Sequence, residues 1–122
     1  MIEKMEGLPD GVLGFMAKGT VTGLDYEQII VPAVEETLAK FHKVRFLYSL
    51  GNDFKEFEAA AMWEDAKIGL KHLTSWERIA LVTDVDWIRA AMKAFGFLLH
   101  GHVRAFRNSK IVEARTWISE EL

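Results

Sequence analysis

Apolar positions along the chain switch between a period of about two and a period of about 3.6, and each switch marks a change of element. Residues 2–5 and 12–20 read as strands on either side of Gly7-Leu8-Pro9-Asp10-Gly11, whose Pro and Gly chemistry suits a turn, so the chain should open with a hairpin. Thr22 and Asp25 stand at capping-box spacing and start a helix. Tyr26, Ile30, Val34, Leu38 and Phe41 share one face of it, turned toward a sheet. Pro32 falls inside this pattern and predicts a kink over 28–32.

The rest of the chain alternates strand and helix. Residues 44–50 are rich in strand formers, and Gly51-Asn52-Asp53 should end that strand. A second helix is predicted over 54–72 with two apolar stripes. Ala59, Met62, Trp63, Ala66 and Leu70 are expected to face the sheet, while Phe57, Ala61 and Ile68 gather on nearly the opposite side. Residues 77–83 form a near-continuous apolar run, as in a central parallel strand buried on both faces. A third helix over 87–99, capped by Asp84 or Asp86, is apolar around more than half its circumference. Gly101 ends it, and a strand over 102–107 and a helix over 110–118 follow. The order β-β-α-β-α-β-α-β-α predicts an α/β fold: a five-stranded, mostly parallel sheet with an antiparallel first strand and helices packed on it.

A length of 122 residues suits one domain spanning 1–122. Half of the residues are apolar and 27% are charged, a globular balance. The net charge of −3, with Lys and Arg scattered singly, argues against a nucleic-acid partner. There are no cysteines, no apolar run long enough for an integral membrane segment, and no signal-like leader in the chain as given. A cytoplasmic protein is the expectation.

The motif MWEDAKIGLKHLTSWERIALVTDVDW, with Trp63, Glu64, Asp65, Lys67, Gly69, Lys71, His72, Arg78, Ala80, Asp84 and Trp87, resembles the SpoIIAA-like family of small bacterial proteins, grouped with STAS and CRAL-TRIO-type domains. TGLDYEQIIVPAVEE in the first helix and a final strand and helix ending near Trp117 extend the likeness over nearly the whole chain. The resemblance implies a STAS-like fold more than an activity. By family analogy it points to lipid-like or small apolar ligands, or to regulatory protein contacts. Anti-sigma-factor antagonists of this fold are switched by phosphorylation of a serine before the second helix. Here that turn reads Leu50-Gly51-Asn52-Asp53-Phe54, without a hydroxyl, and Ser49 is the nearest candidate.

Ligands of open parallel sheets collect beyond the carboxyl ends of the strands. That rule gathers Asn52, Asp53, Asp84, Asp86, Asn108 and Ser109 on one rim, and selects Asn52, Asp53, Phe54, Asp84 and Trp87 as candidate ligand contacts. The same aspartates equally suit helix caps and turns. The surplus apolar surface of Phe57, Ala61, Ile68, Ala91, Phe95 and Leu98 has two readings: a small apolar or amphipathic ligand between the second and third helices, or a homodimer interface. His100-Gly101-His102 has a spacing that suits a metal, but His42, His72, His100 and His102 all precede strands, on the rim opposite the expected ligand site, and no metal site is assigned. With no phosphate loop, nucleophile elbow or HExxH, neither a catalytic residue nor a cofactor is assigned, and a non-enzymatic binding module is expected.

Overall fold

The computed structural model describes residues 1–99 and 101–120. Five strands form one sheet in the order β1 (Ile2–Lys4), β2 (Val12–Val21), β3 (Val44–Phe57), β4 (Trp76–Thr83) and β5 (His102–Phe106). β1 pairs antiparallel with β2, and every other pairing is parallel. Because each new strand is laid beside the last, right-handed crossovers carry the connecting helices to the same face. α1 (residues 23–41), α2 (Ala59–Lys71) and α3 (Asp86–Gly96) accordingly share one core with Phe15, Phe46, Tyr48, Ile79 and Leu81. The alternate strand residues Leu47, Ala80, Val82 and Phe106 point the other way and are covered by Ala114 and Ile118 of α4 (Ile111–Ser119).

α4 is held by its carboxyl end. Arg45 donates to the carbonyl of Ile118 at 3.1 Å and Arg78 to that of Trp117 at 2.6 Å, so two guanidinium groups meet carbonyls of the last turn, at the negative end of the helix. The Arg78 guanidinium also lies 4.8 Å from the centre of the Trp117 ring.

The predicted capping box is present: the Asp25 amide donates to Thr22 Oγ1 at 3.1 Å, and the Thr22 amide to Asp25 Oδ2 at 2.9 Å. Over 28–32, where a kink is expected, the helix departs from regular α geometry. α1 consists of an α turn, Gly23–Asp25, a π turn, Tyr26–Ile30, and an α segment, Val31–Phe41. Pro32 lacks an amide proton and crowds the carbonyl one turn back, and the wider π turn relieves that crowding.

Three expectations are corrected. β3 does not stop at Gly51-Asn52-Asp53 but runs to Phe57, and α2 starts at Ala59 rather than at residue 54. The turn-forming residues are absorbed as a bulge, since Ala17 pairs with Leu50 while Gly19 already pairs with Phe54. Gly19, at φ 58°, supplies the left-handed backbone opposite this bulge. The stripes of α2 are also reversed. Ala61 (0% exposed) and Ile68 (6%) are buried against the sheet, whereas Met62 (46%), Trp63 (65%) and Leu70 are open. Finally, neither Asp84 nor Asp86 caps α3, which ends at Gly96. Val85 holds the cap position, and its amide donates to Thr83 Oγ1 at 3.1 Å. Asp84 instead accepts from the Asn108 amide at 3.0 Å, and Asp86 lies 3.5 Å from Arg107.

Candidate functional site

Splayed side chains of α2 and α3 leave a cavity of about 240 Å³ above the sheet. Tyr48 and Phe57 of β3 and Leu81 of β4 line its sheet side. Met62, Asp65 and Ala66 come from α2, and Trp87, Ile88, Ala91, Met92 and Phe95 from α3. Met62 and Trp87, the latter 58% exposed, are open lining residues and mark the mouth. At the inner end α2 and α3 close up. A Cβ on Gly69 would stand 2.9 Å from Phe95 Cζ, so the glycine lets the two helices meet there.

The lining is apolar except for one group of three. Tyr26 reaches in from the start of the π turn, and its hydroxyl donates to Asp65 Oδ1 at 2.8 Å. The Tyr26 and Tyr48 hydroxyls are 3.0 Å apart. Because Tyr26 spends its single proton on Asp65, Tyr48 donates to Tyr26, and the Tyr48 lone pairs remain for another donor. Both phenols titrate above their ordinary value, chiefly through burial. The charge of Asp65 adds to the effect on Tyr26. Both therefore stay protonated near neutral pH.

Asp65 sits on the buried stripe of α2, four residues after Ala61 and three before Ile68. Its side chain is exposed at the open side of the cavity that it lines. Loss of bulk water raises its carboxyl above the usual carboxylate range, and the Tyr26 hydrogen bond opposes that rise.

Of the ligand contacts expected from sequence, Trp87 lines this cavity. Asn52 and Asp53 are exposed on the β3 bulge, Phe54 packs on Phe57 at 4.9 Å between ring centres, and Asp84 is engaged with Asn108. Phe57, Ala91 and Phe95, read as interface, line the cavity, and Leu98 is exposed. Ala61 and Ile68 lie in the core, out of reach of a second chain. Ser49 is buried on β3, away from any modifying enzyme. His100 lies outside the described residues, so the His100-Gly101-His102 spacing has no structural counterpart. Among the described residues, no group of three or more His, Asp and Glu is placed to hold a metal ion. Among the described residues no helix is long and apolar enough to cross a membrane.

Sequence reasoning passed over Tyr26, Tyr48 and Asp65, the polar centre of the cavity. The available signal was a carboxylate set between Ala61 and Ile68, and two tyrosines at core positions of their own elements, each carrying a hydroxyl that needs a partner.

A sequential sheet with an antiparallel β1 and helices packed on it is an α/β architecture, and the chain belongs to the SpoIIAA-like family, whose model matches residues 12–119. Among solved structures it is similar to an uncharacterized protein of the DUF3478 family with a SpoIIAA-like fold from Shewanella loihica PV-4. That likeness has a TM-score of 0.75 and 26% identity, and covers 97% of this chain and 92% of the other. No curated protein matches the chain.

Proposed function

We propose that this protein is a non-enzymatic module that holds a small amphipathic molecule between α2 and α3. The observation that carries this reading is one cavity, apolar on nearly all sides, with Tyr26, Tyr48 and Asp65 converging at its wall. A concave apolar site with a few convergent polar groups and perturbed titration is the general form of a ligand site. At roughly 30 Å³ per water-sized unit, the volume suits a ring with a short arm.

Heteronuclear NMR of the labelled protein with phenethyl alcohol as probe tests the reading. Shift changes confined to Trp87, Ala91, Met92, Phe95 and Asp65 are expected. Changes scattered over the surface, or none at millimolar probe, would remove it.

The open Met62, Trp63 and Leu70 favour a second reading, contact with another copy of the chain through the outer face of α2. Light scattering on the wild type and on Trp63→Glu separates the two: a dimer broken by that substitution supports this reading, and a wild-type monomer dismisses it.

A further inference from the structure

The cavity's polar wall contains a carboxylate that forms no ion pair among the described residues. Asp65 accepts one hydrogen bond, on Oδ1, from an uncharged phenol, while Oδ2 has no protein partner among the described residues. The ion pairs found among the described residues pass it by. On its own helix Lys67 is 2.9 Å from Glu64, and Lys71 is 3.2 Å from Glu35. On α3, Arg89 directs its guanidinium at the Thr83 carbonyl at 3.4 Å. The titratable side chains lining the cavity are Tyr26 from α1, Tyr48 from β3 and Asp65 from α2, and none comes from β4 or α3.

We propose that the occupant is a small hydrophobic amine, bound as its ammonium ion with the nitrogen on Asp65 Oδ2 and its apolar body among Trp87, Met92 and Phe95. This rests on the binding reading above and adds the sign of the ligand's charge. A carboxylate ligand would set like charges side by side, and a neutral ligand would leave Asp65 without a charged partner. An ammonium ion meets a charge-assisted acceptor, with the Tyr48 lone pairs as a second acceptor within the same group. The aromatic lining of Tyr26, Tyr48, Phe57, Trp87 and Phe95 suits a cation as well, since ring faces attract positive charge where water is scarce.

The experiment compares three probes of nearly equal shape, phenethylamine, phenethyl alcohol and phenylacetate, by calorimetry on the intact wild-type protein near neutral pH. The amine should bind about tenfold or more tighter than the alcohol, the gain of one charge-assisted contact, and the carboxylate should not bind. Asp65→Asn should bring amine and alcohol to within about twofold of each other while alcohol binding persists. Alcohol binding equal to or tighter than amine binding, or an amine preference that survives in Asp65→Asn, overturns the charge assignment and leaves the cavity reading standing. Failure of all three probes overturns both. If Asp65→Asn does not fold, lowering the pH on the wild type replaces it. The amine preference should then fade as Asp65 takes up a proton, and a preference constant down to pH values where the carboxyl is protonated overturns the assignment.

Discussion

Tyr26 donates its phenolic proton to Asp65 at 2.8 Å across 39 positions of sequence, tying the first turns of α1 to the middle of α2. The bond settles the direction of the neighbouring one, so that Tyr48 donates to Tyr26 and three side chains from three elements act as one polar unit. Removing its middle member should be felt on both sides. Tyr26→Phe is expected to cost about 1–3 kcal/mol in urea unfolding. It should also raise the Asp65 carboxyl further, because the lost hydrogen bond is what opposes the rise. Carboxyl carbon shifts followed against pH read the second effect, and an Asp65 titration unchanged by the substitution would sever the link.

Asp65 and Glu35 should bend the pH profile of stability in opposite directions. The folded-state value of Asp65 lies above its ordinary 3.8, so between those two points the native state holds a proton that the unfolded chain has released. Stability therefore falls as pH rises through that window, and Asp65→Asn should flatten the slope. Glu35 is lowered below its ordinary 4.5, chiefly by the His72 hydrogen bond at 2.9 Å, with Lys71 adding to the effect. Its contribution is present above 4.5 and is lost as pH falls through the lowered value, a loss that Glu35→Gln should abolish. Thermal unfolding across the acid range checks both signs, and equal slopes for the two variants would contradict them.

Filling the cavity from its accessible side should remove binding without unfolding the protein. Ala91 lines it while remaining exposed, so the ring of Ala91→Phe can enter open space rather than the packed core. Probe affinity is expected to drop at least about tenfold, with a midpoint of unfolding close to wild type. Undiminished affinity would place the ligand elsewhere.

Trp76 is a helix stop as well as a core residue. Its indole Nε1 donates to the Gly69 carbonyl at 3.2 Å, a group that the last turn of α2 leaves free, while its ring meets Phe46 edge-on at 6.0 Å. Trp76→Phe keeps much of the packing and strands that carbonyl, for an expected loss of about 1–3 kcal/mol. Chemical denaturation measures it, and a neutral result would mean that water reaches Gly69.

The alternation of strand and helix was legible because each strand is flanked by turn chemistry and each helix keeps its period, as at Thr22 to Phe41. Three features misled, for identifiable reasons. Gly51-Asn52-Asp53 carries turn residues, yet the parallel partner β2 continues to Val21, and pairing with it carries β3 on to Phe57 through a bulge. On α2, both faces hold apolar residues, and Asp65 makes the face of Ala61 and Ile68 look like the outward one. Its carboxylate is met there by Tyr26, which arrives from another element. That arrival depends on tertiary structure, and no spacing along one helix contains it. The rim rule selected Asp84 and Asp53, but in a sheet laid down in sequence order no crossovers part toward opposite faces, and the crevice the rule relies on does not form.

The π turn of α1 has a consequence for the history of the chain. A π turn is what an α-helix becomes on accepting one additional residue, and each residue rotates everything before it by about 100° relative to everything after. Loss of a single position between Tyr26 and Pro32 would restore a regular helix and swing the Tyr26 phenol away from Asp65. Length in this segment is therefore under a constraint that amino-acid identity does not reveal, and relatives that keep the polar unit should show neither insertion nor deletion there.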